Sequence, residues 1–431
     1  MSYPDVNQLT SAVDGAMALA ERLFEDLRTN TAAEDGVSRE SYGAGEQYAH
    51  DLVTEAAKSL ALEIAVDFAG NLYMTLPGRD RSVPGWITGS HLDSVPNGGN
   101  YDGAAGVIAG VTALAALRQS GLVPTTDVTV VGIRAEEASS WYSGDHGGHL
   151  GSRAVLGMLK PGELQAAINV RSNRTLADHM REAGFDPDAT SDKSKQLPKS
   201  KYKGYLELHI EQGPVLENKD FPVGIVTGIR GSARARNARC VGAYTHSGAV
   251  PHEYRSDAVL ATAELCYRLD LAWEDTRRSG GDLVFTVGKL FTDPRAHSIT
   301  KVPGETNFTI DLRSQNLATL ERMVTLARDL AKEIGDRRRV KFDLGRFNLS
   351  EPALMDAGVQ RRLTDGADRL NIAHLSLPSG AGHDAQDFAL AGFPAGMIFV
   401  RNAHGSHNPQ EAMEMADFSL GTRLLAWAVL N

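Results

Sequence analysis

The chain opens with apolar side chains at Leu9, Val13, Ala16, Met17, Ala20 and Leu23. Intervals of three and four put them on one face and predict a helix over Val6–Arg28. A second helical pattern covers Glu46–Leu62. It leads into a strand-like run, Glu63–Phe68, a turn at Ala69-Gly70-Asn71, and a further run, Leu72–Leu76. GWITGSHLDS reads as a short strand entering a polar loop, and Val107–Gln119 as a buried helix. DVTVVGIR, Asp127–Arg134, is a β-branched strand, and YLELHIE, Tyr205–Glu211, alternates in part. Strands that alternate with helices predict an α/β sheet.

The rhythm changes between residues 231 and 347. A strand (Ser232–Tyr244) precedes a helix (Asp257–Asp275), two strands (Asp282–Thr292 and Glu305–Ser314), a helix (Leu317–Ile334) and a strand (Val340–Phe347). That β-α-β-β-α-β order is a split ferredoxin-like unit. The expected organisation is an α/β domain of residues 1–230 and 348–431 with an α+β domain, 231–347, inserted into it. After the insertion come a helix (Ala353–Leu370), the loop LPSGAGHDAQD, a strand (Gly396–Val400), a His-bearing loop and a final helix. No internal repeat is present.

Composition narrows the function. A net charge of −10 disfavours non-specific nucleic-acid binding. The basic clusters Arg277-Arg278 and Arg337-Arg338-Arg339 read as solvated helix ends. No apolar run approaches the ~18 residues of a membrane span, and the N-terminal residues lack the basic start of a secretory signal. Cys240 and Cys266 form no CxxC pair and suit a reducing cytoplasm. The expectation is a cytoplasmic protein with no nucleic-acid or membrane partner, in which His and carboxylate would hold any metal.

Such residues stand where strands end. His91 and Asp93 follow one strand in H-x-D spacing, with Asp102 in the glycine-rich turn beyond; Glu136-Glu137 follow a second, His209 lies in a third, and His404 and His407 follow a fourth. Ligands of open α/β sheets bind at the carboxyl ends of strands. Singly, a His or a Glu pair there reads as structural; together they form a constellation suited to two divalent ions. Zinc takes imidazole and carboxylate and keeps a position open for water; manganese, cobalt and nickel accept the same donors. Asp102, in its flexible turn, is the natural bridge between two ions, and Asp93 could fix the His91 tautomer. His50, His179, His297 and His374 lack such context and read as structural.

The stretches GSHLDSVPNGGNYDGAAGV, AEEAS, LGSRAVLG, ELHIEQGPVLE, THSGAVPHEYRSDA, VPGETNFTIDLRS, SGAGHDAQDFA and MIFVRNAHGSHNPQE resemble the hydantoinase/carbamoylase amidases. These are the N-carbamoyl-L-amino-acid hydrolases, allantoate amidohydrolases and β-ureidopropionases of the di-zinc aminoacylase and carboxypeptidase clan. The resemblance implies a metal-binding α/β catalytic domain carrying a ferredoxin-like lid that also forms a homodimer. It implies one metal on His91 and His209, a second on Glu137 and His407, Asp102 bridging, and Glu136 as general base. Gln212 would face the substrate, with Gly382 and His383 also on the substrate side. His246 would reach the scissile carbonyl from the partner subunit, and Arg313 would clamp a substrate carboxylate.

Three departures stand out. Thr300 in TKVPG replaces a substrate-binding Asn of the family. The stretch ASSWYSGDHGGHLGSRA, with Trp141, His146 and His149, replaces a shorter link and reads as a surface loop, the alternative being that it reshapes the pocket. RNAHGSH adds His404 beside His407. The implied activity is metal-dependent hydrolysis of a linear C–N bond in a small N-carbamoyl (ureido) amino acid or close analogue. An N-acyl amino acid or dipeptide substrate is the alternative, and a non-catalytic, metal-stabilised paralogue the remote one.

Overall fold

The structure is a computed structural model that describes residues 5–143 and 148–430. Contacts divide the chain into two units, Met1–Thr227 with Leu354–Asn431, and Gly228–Ala353.

In the first unit, one sheet runs in the order Glu63–Val66, Leu72–Leu76, Val128–Ile133, Gly85–His91, Tyr202–Ile210, Ala395–Val400 and Val223–Ile229, with His374–Ser379 also paired to the last. The four strands from Val128–Ile133 to Ala395–Val400 are parallel. Val128–Ile133 and Gly85–His91 are buried at every position, as strands of a parallel sheet covered on both faces are, and the first accordingly reads as an apolar run without alternation. His91 pairs with Ile133, and His209 with Phe399, so the carboxyl ends of the parallel strands lie level.

Helices Val6–Asn30, Ala104–Ser120 and Met415–Leu430 pack on one another beside this sheet. Every residue from Ala104 to Leu117 is buried. Burying a Leu, Ile or Val side chain contributes roughly 1.5–3 kcal/mol, so this helix anchors the layer. The first helix runs two residues past its expected end, to where the Thr31 amide and hydroxyl both bond the Leu27 carbonyl.

Several elements differ from expectation. The helix expected from Ala353 starts at Ala357, where the Asp356 side chain accepts from the Val359 amide as N-cap; Ala353–Leu354 is a strand. The loop LPSGAGHDAQD contains the end of the strand His374–Ser379 and the start of a helix, Asp384–Leu390. The strand Val223–Ile229 was not anticipated, nor were the short helices between Leu150 and Lys201. Elements of three to seven residues give too few positions to establish a period.

In the second unit, an antiparallel sheet runs Val284–Thr286, Glu305–Ser314, Gly231–Val241 and Lys341–Asp343, with helices Ala258–Arg278 and Leu317–Arg338 packed against it. Phe308, Ile310 and Leu312 point into this core while Thr309, Asp311 and Arg313 alternate outward. One expected strand is broken in two and another is shortened. Leu290–Phe291 is a separate strand because the chain bulges at Thr309, whose amide bonds the Lys289 carbonyl while its hydroxyl accepts from the Lys289 amide. The strand expected over Val340–Phe347 is confined to Lys341–Asp343, and Asn348–Ser350, past its expected end, pairs separately with Gly231–Val241.

Candidate metal centre

The level strand ends set the site. His91 closes its strand, Glu136 and Glu137 follow Ile133 after a turn in which Ala135 takes a positive φ of 57°, and His209 is the penultimate residue of its strand. Asp102 directly precedes Gly103, the N-cap of Ala104–Ser120, where the helix dipole favours an anion. Gly103 has φ 65°, and a Cβ there would lie 2.3 Å from the His91 ring, so only glycine lets this turn close on the imidazole.

Two ligand groups meet at Asp102. One is His91, Asp102 and His209; the other is Asp102, Glu137 and His407; within each, the ligand atoms lie within 4.8 Å of one another. Asp102 Oδ1 is 3.2 Å from His209 Nε2 and 3.6 Å from His91 Nε2. Asp102 Oδ2 is 3.2 Å from His407 Nε2, which is 2.9 Å from Glu137 Oε1. Oδ1 is buried and has no hydrogen-bond partner. The Ile210 carbonyl, 2.9 Å from His209 Nδ1, takes the proton there and leaves Nε2 its lone pair. Imidazole lone pairs and buried carboxylate oxygens facing one another at this range suit a shared cation. Burial opposes the charge on Asp102, but His209, His407 and His91 together outweigh it and hold its carboxyl well below the usual range. Hydrogen bonds to Asp102 and Glu137 push His407 up to about 11.

Asp93 does more than its sequence position suggested. Its Oδ1 lies 3.3 Å from His91 Nδ1 and accepts the Glu136 amide, while Oδ2 accepts the Glu137 amide and the Ser41 hydroxyl. One carboxylate thus ties the His91 loop to both glutamates. Glu136 lies beside the ligand groups rather than within them, with Oε2 3.9 Å from His91 Nε2. Burial raises its carboxyl to about 8, against the pull of His149 and His91.

Gln212, in a left-handed turn at φ 61°, donates from Nε2 to Asp102 Oδ2. His383 is buried edge-on to His209, with its Nε2 on the Ser379 hydroxyl. Gly382, His383 and Gln212 border, with Glu136 and the two ligand groups, a cavity of about 130 Å³. A further ligand-like group, Glu207, His209 and His383, is closed off: both Glu207 oxygens are engaged, by the Ser90 hydroxyl and the Ala385 amide. His404 is exposed and joins no ligand group among the described residues.

The surface-loop reading of Trp141 and His149 is corrected. Trp141 is buried, its Nε1 donating to the Ser94 carbonyl, and His149 lines the cavity 3.2 Å from Glu136. His146 lies outside the described residues. Sequence reasoning also missed Asp387, Ser406 and Glu411, which act by contacts across long stretches of chain.

His246, Thr300 and Arg313 lie in the second unit. His246 is exposed, and its Nδ1 accepts the amides of Gly248 and Ala249. That places the ring proton on Nε2. The Thr300 carbonyl accepts the Ser247 amide, next to His246, and the Arg313 guanidinium donates to Asp311 Oδ2 from Nε and Nη2.

Residues 87–431 match Peptidase family M20/M25/M40. The chain belongs to this family. Within it, the chain is 34% identical over 408 residues to the N-carbamoyl-L-amino acid amidohydrolase of Geobacillus stearothermophilus, covering 94% of this chain and 96% of that relative. It is 34% identical over 367 residues to the allantoate amidohydrolase of Escherichia coli, covering 85% of each. A hydantoinase/carbamoylase family amidase from Burkholderia ambifaria superposes with a TM-score of 0.86 at 26% identity, over 100% of this chain and 98% of that one. The resemblance read from the motifs is therefore borne out, and the chain is a family hydrolase of carbon–nitrogen bonds in linear amides. Membership and the convergent ligands together mark a site for divalent metal. Among the described residues no helix is long and apolar enough to cross a membrane.

Proposed function

We propose that the chain hydrolyses the ureido group of a small N-carbamoyl amino acid, R–NH–CO–NH₂ + H₂O → R–NH₂ + CO₂ + NH₃. The observation that carries this is the placement of Glu136 beside two ligand groups that share Asp102, in a small cavity, in a chain whose relatives include hydrolases of ureido compounds. His91, His209 and Asp102 would hold one divalent ion, and Asp102, Glu137 and His407 a second. Zinc is the first candidate, with manganese, cobalt or nickel as substitutes. Bound there, such ions supply Lewis acidity and make water more acidic.

The protein's own groups do the rest. Glu136 takes a proton from the attacking water and returns it to the leaving nitrogen. Asp93 keeps Glu136 and Glu137 in register with His91. The Nε2–H of His246, fixed by the two amides at Nδ1, donates to the developing oxyanion. In this reading His246 comes from the partner subunit of a homodimer formed through the inserted unit, which acts as a lid. Arg313 binds the substrate carboxylate, Gln212, Gly382 and His383 line the substrate side, and Thr300 adjusts its fit. The setting is the cytoplasm.

The test is a substrate panel on protein stripped of metal and reloaded with zinc, manganese, cobalt or nickel. Ammonia and free amine are measured with N-carbamoyl-L- and D-amino acids, allantoate, N-acetyl amino acids and dipeptides. Ammonia release from ureido substrates, dependent on reloading, supports the proposal. Turnover confined to N-acetyl amino acids or dipeptides overturns it.

A further inference from the structure

His149 and Asp387 stand 238 positions apart, yet form a pair directed at Glu136. His149 Nδ1 is 2.8 Å from Asp387 Oδ2, and its Nε2 is 3.2 Å from Glu136 Oε1. The approach is fixed from several sides. The His149 amide donates to the Glu136 carbonyl at 2.8 Å, and the Leu150 amide to that of Ala135. The Ser152 hydroxyl lies 3.2 Å from the His149 carbonyl and 3.3 Å from Asp387 Oδ2. His149 holds a left-handed φ of 52°, a conformation that persists only where its surroundings impose it. A Cβ on Gly382 would lie 2.8 Å from His149 Nε2, so the glycine leaves room for the ring. Asp387 is buried.

With Nδ1 on Asp387 Oδ2 and Nε2 on Glu136 Oε1, the ring bridges two carboxyl groups, each offering an acceptor oxygen to a ring N–H. We propose that His149, held by Asp387, is a positioning residue for Glu136: its Nε2–H pins Oε1, leaving Oε2 as the oxygen that faces the ligand groups. The proposal rests on the reading of Glu136 as the base. It assigns work to the loop that departs from the family pattern. The partner carboxylate comes from the helix Asp384–Leu390, so one contact orients the base from a second segment of the sheet's carboxyl edge.

The experiment combines kinetics with a measurement that needs neither metal nor substrate. His149→Ala is expected to lower kcat roughly 10- to 100-fold, the usual effect of removing an orienting partner, with KM within about threefold and metal content unchanged. Added imidazole should restore part of the rate, and His149→Gln, which keeps a donor near the Nε2 position, should retain more activity than Ala. In metal-free protein labelled with ¹⁵N-histidine, the His149 Nδ1–H resonance should vanish or move upfield in Asp387→Asn, and the Nε2 resonance should shift in Glu136→Gln. Unchanged kcat in the Ala variant, an effect confined to KM, or a His149 Nε2 signal indifferent to Glu136→Gln would each overturn the proposal. If the Ala variant does not fold, the Gln variant and the resonances decide. If no ureido substrate is turned over by the wild type, the proposed reaction fails, while the resonances still decide whether His149 holds Glu136.

Discussion

Glu411 holds Asp102 from behind. Its Oε1 accepts the amides of Tyr101 and Asp102, and the Ser406 hydroxyl lies between the two carboxylates, 2.5 Å from Glu411 Oε2 and 2.7 Å from Asp102 Oδ2. A Cβ on Gly99 would lie 2.1 Å from Glu411 Cδ, so the glycine leaves room for the carboxylate. Partners of this kind commonly change metal affinity 10- to 100-fold, and Glu411→Ala should weaken binding by about that much. Glu411→Gln keeps an acceptor for the amides and should bind metal close to the wild-type level. Metal titration of both variants checks this; equal affinity in all three proteins would remove Glu411 from the site's support.

Glu136→Gln should keep its metal and lose its turnover. The amide preserves size and hydrogen bonding but cannot accept a proton from water. A general base contributes about 10²–10⁴-fold, so kcat should fall at least a hundredfold. Elemental analysis and ammonia release measured on the same preparation separate the two effects.

The convergence of His91, Glu136, Glu137 and His209 was legible because each lies at or just past the end of a strand, and parallel strands present their carboxyl ends together; Asp102 was legible from the glycine-rich turn that follows His91. The sequence Phe308-Thr309-Ile310-Asp311-Leu312-Arg313 likewise carries the alternation that marks the inner face of the second sheet. What stayed hidden was tertiary. His149 meets Asp387, and Tyr101 meets Glu411, across 238 and 310 positions; no local spacing encodes such pairs. Trp141 looked like a loop residue because its burial comes from partners distant in sequence, a cluster that includes Tyr42, Leu164 and Leu176, and from the Ser94 carbonyl that takes its Nε1–H.

Asp102→Ala should empty both ligand groups, whereas His209→Ala should spare the one formed with Glu137 and His407. Asp102 touches both; His209 touches one. After removal of excess metal, the His209 variant should retain roughly half the wild-type content and the Asp102 variant close to none. Equal content in the two variants would argue against a bridging Asp102.

If His246 serves the neighbouring subunit's site, two dead proteins should revive each other. Glu136→Gln lacks a base and His246→Ala lacks the donor. Mixed under conditions of confirmed subunit exchange, some heterodimers combine an intact Glu136 from one chain with an intact His246 from the other. Activity should then return. No recovery would confine His246 to its own chain or remove it from the reaction.

Arg313 supplies the last prediction. Its Nε and Nη2 donate to Asp311 Oδ2 at 3.1 and 3.0 Å, and Asp311 Oδ1 takes Arg234 at 3.3 Å, all on the outward face of one strand pair. Asp311 thus fixes the plane of the guanidinium on the strand. A planar fork held this way is suited to a carboxylate, which a compact ammonium cannot match in geometry. Arg313→Lys should therefore raise KM for carboxylate-bearing substrates about tenfold or more, with metal content unchanged. Asp311→Asn removes the anchor but keeps the guanidinium, so its rise should be smaller. Thr300 offers a hydroxyl where the family carries an amide, and Thr300→Asn should improve kcat/KM for simple N-carbamoyl amino acids if the preferred substrate is bulkier. Steady-state kinetics on an N-carbamoyl amino acid and on its amide, which lacks the carboxylate, separates these effects. The Arg313 variants should differ from wild type on the acid and converge with it on the amide. An equal loss on both would place the carboxylate's partner elsewhere.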